Sequence, residues 1–428
     1  MSFAYFWIFI FLLAASMPVV FALLVGPGLS LAFDGEQVFF KTLLSRLYNG
    51  MDSFPLMALP FFILAGQIMN SGGITRSIVG FSQSMIGHVR GGLAQVNIFS
   101  SLLFAGLSGS AVADASALGK IFIPAMHENG YSRPFSAAIT AASAVIGPII
   151  PPSGIMILYA FIMNVSVAGL FAAGLVPGLL IACGLMMMTG YLARKHGYPV
   201  ANRRATWPER GVVLRSALPA LLTPVILLGG ILGGVFTPTE AAAVAAVYAI
   251  LISVFYLRTL DLKALFPVFV SSVVQSGIVL LLVGASVSFA WIITVSGLAN
   301  TVADGMASVS DNILVLLFLL NIFLLLIGMF LDAGPAVLVL GPVLGPMFIG
   351  LGIDPLHFAV VMCVNVTVGL ATPPMGLVLF VSAAVSRERV ETIALHMLPF
   401  LLVEILVIFL ITYFPVLSLA LPRWLGFA

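Results

Sequence analysis

Apolar runs long enough to cross a bilayer follow one another along most of the chain, with polar residues gathered in a few short clusters between them. A membrane-spanning helix needs about 20 apolar residues. Such runs lie near 134–165, 170–193, 217–235, 240–258, 271–293, 356–386 and 392–418. The opening "MSFAYFWIFIFLL" begins a further one, 3–33, which reads either as one long span or as two short ones meeting at Met17-Pro18. No basic segment precedes it, so it reads as the first membrane segment rather than a cleaved signal peptide. Residues 36–50 and 75–91 ("TRSIVGFSQSMIGHVRG") mix polar with apolar positions and predict amphipathic helices lying at the membrane interface.

Composition sharpens this picture. The chain is 61% hydrophobic and only 7% charged, where a soluble globular chain carries roughly 25% charged residues. An all-α polytopic membrane protein without a soluble domain is implied, and the net charge of +2 says little about partners. Cys183 and Cys363 both lie in apolar segments, so neither a disulfide framework nor a metal site follows from them.

The placement of charge sets the topology. Arg194, Lys195, Arg203, Arg204, Arg210 and Arg215 share one stretch with a single acid, Glu209, which marks it as cytoplasmic. Arg258 with Lys263, and Arg387 with Arg389, mark two more cytoplasmic ends. Alternating crossings satisfy all three clusters only if 311–350 makes no net crossing, dipping in from the outer side as a re-entrant hairpin. In the first half, 134–165 and 170–193 must cross outward and back, so 94–130 dips from the inside. Arg76, Arg90 and Arg133 flank that dip on the expected side.

The two halves echo each other. Pro151-Pro152-Ser153-Gly154 recurs as Pro373-Pro374-Met375-Gly376, a shift of 376 − 154 = 222 residues. The same shift, without gaps, pairs Gly106 with Gly328, Gly119 with Gly341, Pro124 with Pro346, Gly147 with Gly369 and Pro177 with Pro399. Membrane helices are rich in Gly and Pro, but so many matches in one register point to a repeat. With its hairpins on opposite sides, the repeat is inverted, which is a mark of secondary transporters with a central binding site. The chain then divides into scaffold helices and arm (1–93), a first transport repeat (94–193), a cytoplasmic basic loop (194–215), further scaffold helices and arm (216–310) and a second transport repeat (311–428).

Each repeat contains a helix broken by Pro-Pro. Proline cannot donate to the carbonyl four residues back. Gly147 and Pro148 should therefore lose helical partners in the first copy, and Gly369 and Leu370 in the second. An unsatisfied carbonyl in hydrocarbon costs several kcal/mol, so broken backbone at that depth must be buried in protein or line a cavity. A desolvated hard cation such as Na⁺ is one ligand for such oxygens, and glycine at 147 and 369 would let it approach. The plainer reading is a kink repaired by water or a nearby hydroxyl. The hairpins "FAGLSGSAVADASALG" (104–119) and "LIGMFLDAGPAVLVLG" (326–341) should break at Gly106–Ser110 and Gly328–Pro335, with helices starting at about Ala111 and Pro335. Helix N-termini favour anions. Ser110 and its repeat partner Asp332 would then face a central substrate site, since a carboxylate at membrane depth is a functional candidate by default. Capping the following helix is the alternative role for Asp332, and capping is also expected of Asp114 and Glu240. Glu404 and His396 read as structural.

Other chemistries fit poorly. Gly106-Leu107-Ser108-Gly109 matches the four-residue pattern of an intramembrane serine protease, but nothing else supports it. His127-Glu128 is not followed by a second histidine at the zinc-binding spacing, because position 131 is Tyr. No Walker A loop is present, so ATP does not drive the chain directly, and a passive channel would be closed by the broken helices.

The stretches "FFILAGQIMNSGG" (61–73), "GLSGSAVADASALG" (106–119), "IGPIIPPSGIMILY" (146–159) and "GLATPPMGLVLF" (369–380) resemble the large membrane subunit of tripartite ATP-independent periplasmic (TRAP) transporters. The likeness covers nearly the whole chain. It implies a Na⁺-coupled importer of the bacterial inner membrane, not an enzyme and with no nucleic-acid partner. Such an importer takes carboxylates such as sialic acids or C4-dicarboxylates from a periplasmic substrate-binding protein and works with a small membrane subunit. The expected fold is an elevator-type inverted repeat with two re-entrant hairpins and two Pro-broken helices. The resemblance places at least two Na⁺ ions at Gly106, Ser108, Gly147, Ile150 and Ser153, and at Gly328, Gly369, Thr372 and Met375. Ser110, Ser153 and Asp332 are the substrate candidates. With no extra N-terminal helices in this sequence, the small subunit is expected as a separate protein. A stand-alone Na⁺/carboxylate symporter is the alternative, and the intramembrane protease a remote one.

Overall fold

A computed structural model of the chain describes residues 3–36, 38–198, 204–298, 301–302, 305 and 310–427, and these fold into helices without a β-strand. Among the described residues, eight helices are long and apolar enough to cross a membrane. The first apolar stretch resolves into two helices, α1 (Ala4–Ala14) and α2 (Val19–Phe33), because the chain turns at Ser16 with φ of 63° just before Pro18. The pair packs closely at Gly26, where a Cβ would stand 3.0 Å from the Tyr5 carbonyl oxygen. The two amphipathic stretches form α3 (Phe39–Met51) and α5 (Ile74–Ile86), on either side of α4 (Ala58–Ser71).

These N-terminal helices pack with three from the middle of the chain. They are α11 (Trp207–Leu232), α12 (Pro238–Leu251, extended by a wide turn over Ile252–Tyr256) and α13 (Leu262–Ser296). α4 lies against α12 and α13, α3 and α2 against α13, and α5 against α11. A capping box starts α12, with Thr237 and Glu240 each satisfying the other's backbone N–H. At 35 residues, α13 is about 52 Å long at ~1.5 Å per residue.

The remaining helices make a second group. In the first half these are α6 (Gly92–Ser108), α7 (Ala111–Glu128), α8 (Arg133–Ala144), α9 (Gly154–Met163) and α10 (Val167–Lys195). Later come α14 (Ile313–Phe330), α15 (Ala333–Gly350), α16 (Pro355–Gly369), α17 (Leu377–Ser386), α18 (Val390–Tyr413) and α19 (Val416–Trp424). The starts at 92, 111, 133, 154 and 167 recur at 313, 333, 355, 377 and 390, offsets of 221 to 223. Contacts between the halves are reciprocal: α9 packs on α15, and α17 packs on α7. The interior also holds a polar ladder. Asn365 donates to Asn321 at 2.9 Å, Asn321 to Thr412 at 3.1 Å, and His357 contacts Ser418 at 2.7 Å.

Both hairpin breaks are shorter than the sequence suggests. α6 continues through Gly106 to Ser108, leaving only Gly109 (φ 60°) and Ser110 outside a helix. Glycine inside a helix costs only about 1 kcal/mol, and Gly106 uses its missing side chain to pack against Pro224 of α11. In the second hairpin Gly328 is likewise helical. Only Leu331 and Asp332 intervene before α15, which starts at Ala333 rather than Pro335. Pro335 fits in the first turn, where a backbone N–H has no intrahelical partner to lose. The last apolar run is also not one helix, since Pro415 separates α18 from α19.

Candidate substrate and ion site

The helix breaks converge on one cavity of about 350 Å³. Gly109, Ser110, Ala111 and Val112 from the first hairpin line it, facing Asp332, Gly334 and Pro335 from the second. Pro148, Pro152 and Gly154 come from the first broken helix and Leu370 from the other. The opposite wall belongs to the first group of helices: Leu59, Phe62 and Ile63 of α4, and Gln275, Ile278, Val279 and Leu282 of α13. Three helices, α7, α9 and α15, present their first turns to this space.

In the loops between broken segments, local hydrogen bonds replace the helical ones, from a side chain in the first copy and from backbone N–H groups in the second. Both Pro-Pro bonds, Pro151–Pro152 and Pro373–Pro374, are cis. Ser153 donates its hydroxyl to the Pro148 carbonyl and accepts from the Met156 N–H at 3.3 Å, so one residue repairs the break and caps α9. In the second copy the Leu370 carbonyl accepts from Val378 N–H at 2.9 Å, and that of Gly369 accepts from Thr372 N–H at 3.0 Å. Three of the four carbonyls expected to be freed by proline thus hold a protein partner. Each keeps a second lone pair for another donor or a cation.

The glycines serve close packing. A Cβ on Gly369 would stand 2.5 Å from the Gly328 Cα, so α14 and α16 touch backbone to backbone there. The carboxylate of Asp114 lies against Gly147. Gly109 rests on the Pro152 carbonyl oxygen, 3.0 Å from its notional Cβ, which seats the first hairpin tip on the first broken helix. The space in front of Gly147 and Gly369 is therefore taken by Asp114 and Gly328.

The sequence-predicted residues fall into distinct places. Ser110 and Asp332 share the cavity. Each also caps its helix, Ser110 accepting from Ala113 N–H at 3.4 Å and Asp332 from Ala333 N–H at 2.8 Å. Ser153 is fully buried behind the wall, between the lining residues Pro152 and Gly154. Gly106 lies beside the Pro151 carbonyl, and the Ile150 side chain packs on Gly178 of α10. Thr372 donates to the Val368 carbonyl at 2.9 Å, and Met375 is exposed. The side chain of Ser108 lies outside the described residues. Sequence reasoning missed the α4 and α13 wall. The signal there was Gln275, a large polar residue near the start of the apolar run 271–293. It also undervalued Glu404, whose carboxyl is fully buried with neither oxygen hydrogen-bonded.

Residues 6–417 match the family described as "Tripartite ATP-independent periplasmic transporter, DctM component". The chain belongs to this family. It is 41% identical to the sialic acid TRAP transporter large permease protein SiaM of Vibrio cholerae, over 97% of each chain. It is 36% identical to the C4-dicarboxylate TRAP transporter large permease protein DctM of Rhodobacter capsulatus, over 98% of each. Among solved structures, the Alcanivorax borkumensis YdaH transporter superposes with a TM-score of 0.61 at 19% identity, over 92% of this chain and 89% of that one, a likeness of fold alone. As a DctM component the protein is a multi-pass membrane permease rather than an enzyme.

Proposed function

We propose that this permease couples the uptake of an organic acid, a sialic acid or a C4-dicarboxylate, to sodium entry across a bacterial inner membrane. The observation that carries this reading is the meeting of both hairpin tips and both Pro-broken helices on one cavity. The recurring helix starts and the reciprocal α9–α15 and α17–α7 contacts support an inverted repeat. Hairpins and broken helices would move together as an elevator past α1–α5 and α11–α13, carrying the cavity contents with them. The first sodium site is assigned to Gly106, Ser108, Gly147, Ile150 and Ser153, with the Asp114 carboxyl lying against Gly147. The second is assigned to Gly328, Gly369, Thr372 and Met375. A small TRAP membrane subunit and a periplasmic binding protein are the proposed partners, as the names of the relatives suggest.

Two ions make energetic sense. With a tenfold gradient and 100 mV, each entering Na⁺ yields roughly 1.4 + 2.3 kcal/mol. Two yield about 7, and a monovalent anion moving inward against the potential takes back about 2.3. The remainder sustains accumulation on the order of a thousandfold, whereas one ion would leave only about tenfold.

Proteoliposomes holding the permease, its small subunit and the binding protein test this directly. Uptake of N-acetylneuraminate or succinate should require inward sodium. Equal uptake with choline in place of sodium would refute the coupling. Uptake without the binding protein would instead favour a stand-alone symporter.

A further inference from the structure

We propose that the groove between α10 and α18 seats an acyl chain of an anionic phospholipid from the cytoplasmic leaflet, with Arg194 and Lys195 holding its phosphate. The groove is open, encloses about 590 Å³ and shares no lining residue with the central cavity. Every residue along it is apolar except Tyr191 at one end. It forms because the two helices meet at a glycine. A Cβ on Gly184 would stand 2.5 Å from Val403 Cγ1, so the floor on the α10 side is bare backbone. Met187 and Tyr191 of α10 and Leu406 of α18 stand exposed on either side of it.

Length and charge identify the occupant. On α10 the lining positions 180, 184, 187 and 191 recur at spacings of four and three, which is one face of a helix. From 180 to 191 this face rises about 16 Å at ~1.5 Å per residue, the depth of one leaflet of a hydrocarbon core roughly 30 Å thick. The next positions on the same face are 194 and 195, three and four residues beyond Tyr191, and both are basic and exposed. They open the basic stretch that marks the cytoplasmic side.

The other helix agrees. α18 begins on that same side, just after the exposed Arg387 and Arg389. Followed back from Val403, its lining face reaches His396 (403 − 7) and Arg389 (403 − 14). Glu391 lies about 120° away from that face at ~100° per residue, and Glu388 precedes the helix. At the outer end α19 packs on α10, with Phe427 against Gly169, which leaves the cytoplasmic end for a head group.

An apolar channel one leaflet deep that ends in cations matches an amphiphile with a hydrocarbon tail and an anionic head. Basic pockets between transmembrane helices on the cytoplasmic side bind such head groups. Arginine offers phosphate a fork of donors and lysine a point charge. Tyr191 stands where tail gives way to head, the level at which amphipathic aromatic rings collect. Met187 and Met188 are unbranched and adapt to a flexible chain.

Native mass spectrometry of the delipidated permease, purified with its small subunit, reads lipid binding directly. The probes are dioleoyl phosphatidylglycerol and dioleoyl phosphatidylcholine. Phosphatidylglycerol should bind at least about tenfold more tightly. Arg194→Gln combined with Lys195→Gln should weaken it by roughly tenfold to thirtyfold and leave phosphatidylcholine unchanged. Arg258→Gln with Lys263→Gln, at another cytoplasmic end, should alter neither lipid. Leu406→Trp fills the groove from an exposed position and should weaken phosphatidylglycerol with every charge in place. A photo-crosslinking residue at the exposed position 187 should label phospholipid in native membranes. Equal affinity for the two lipids, or unchanged phosphatidylglycerol affinity in the Arg194/Lys195 double variant, would overturn the site. So would a crosslink from position 187 to the small subunit or to a second copy of this chain.

Discussion

Adding one methyl group at Gly369 offers a sharp test of how the second broken helix is held. The Cβ of an alanine there would lie 2.5 Å from the Gly328 Cα, 2.7 Å from the Gly328 carbonyl carbon and 3.0 Å from the Leu325 oxygen. Ordinary contacts begin at 3.4 Å, so α14 and α16 must separate by about 1 Å, with backbone and not a flexible side chain giving way. Overpacking of this kind costs about 1–3 kcal/mol. For a chain of this length each kcal/mol is worth roughly 2 °C or less in Tm, so Gly369→Ala should lower the melting temperature by a few degrees. The Gly369 carbonyl also accepts from Thr372 N–H inside the break loop, so the displacement should reach the proposed second ion site and raise the sodium concentration needed for half-maximal stabilisation. Gly229→Ala is the control, because a Cβ at that helical position meets nothing within 4 Å. It should be neutral or stabilising by about 0.5–1 kcal/mol. The assay is thermal unfolding of the purified permease across a sodium titration. If Gly369→Ala melted like Gly229→Ala with an unchanged sodium response, the close packing would not be what positions the loop.

Three further outcomes are expected. Ser153→Ala removes the α9 cap and the partner of the Pro148 carbonyl together, and should cost about 1–3 kcal/mol in chemical or thermal unfolding. Asn321→Leu removes one partner from each of Asn365 and Thr412, which keep the Val361 and Ile408 carbonyls, and should destabilise by about 0.5–1.5 kcal/mol for each bond lost; adding Asn365→Leu should cost less than the two single changes summed, and a double-mutant cycle reads the difference. Glu404→Leu replaces a buried carboxyl whose oxygens have no partner, so the Tm should rise by the equivalent of roughly 1–3 kcal/mol. A lower Tm in that variant would show that Glu404 holds a partner in the working protein.

The sequence carried the skeleton of the fold because membrane helices declare themselves by length. Every long apolar run became a helix or a pair of helices, and the two amphipathic stretches became α3 and α5. The Pro-Pro motifs marked both broken helices, and Ser110 and Asp332 were legible as cavity residues because polar side chains are costly in apolar surroundings. Three things were not legible. The exact breaks in the hairpins depend on close approach between helices, as at Gly106 and Gly328, and local propensity does not encode which helix will pack there. The repair of the freed carbonyls relies on pairings such as Leu370 with Val378, which exist only once the loop has folded. The α4 and α13 wall is lined by ordinary apolar residues, and only assembly turns those residues toward the cavity.

The length of α13 has its own consequence. A rod of about 52 Å cannot stand upright within a hydrocarbon slab roughly 30 Å thick, and fitting it by tilt alone would need an inclination beyond the usual range of about 0–40°. This helix must therefore run steeply oblique, protrude at an end, or thicken the surrounding lipid. Reconstitution in longer-tailed phospholipids should relieve the mismatch at the helix that carries Gln275.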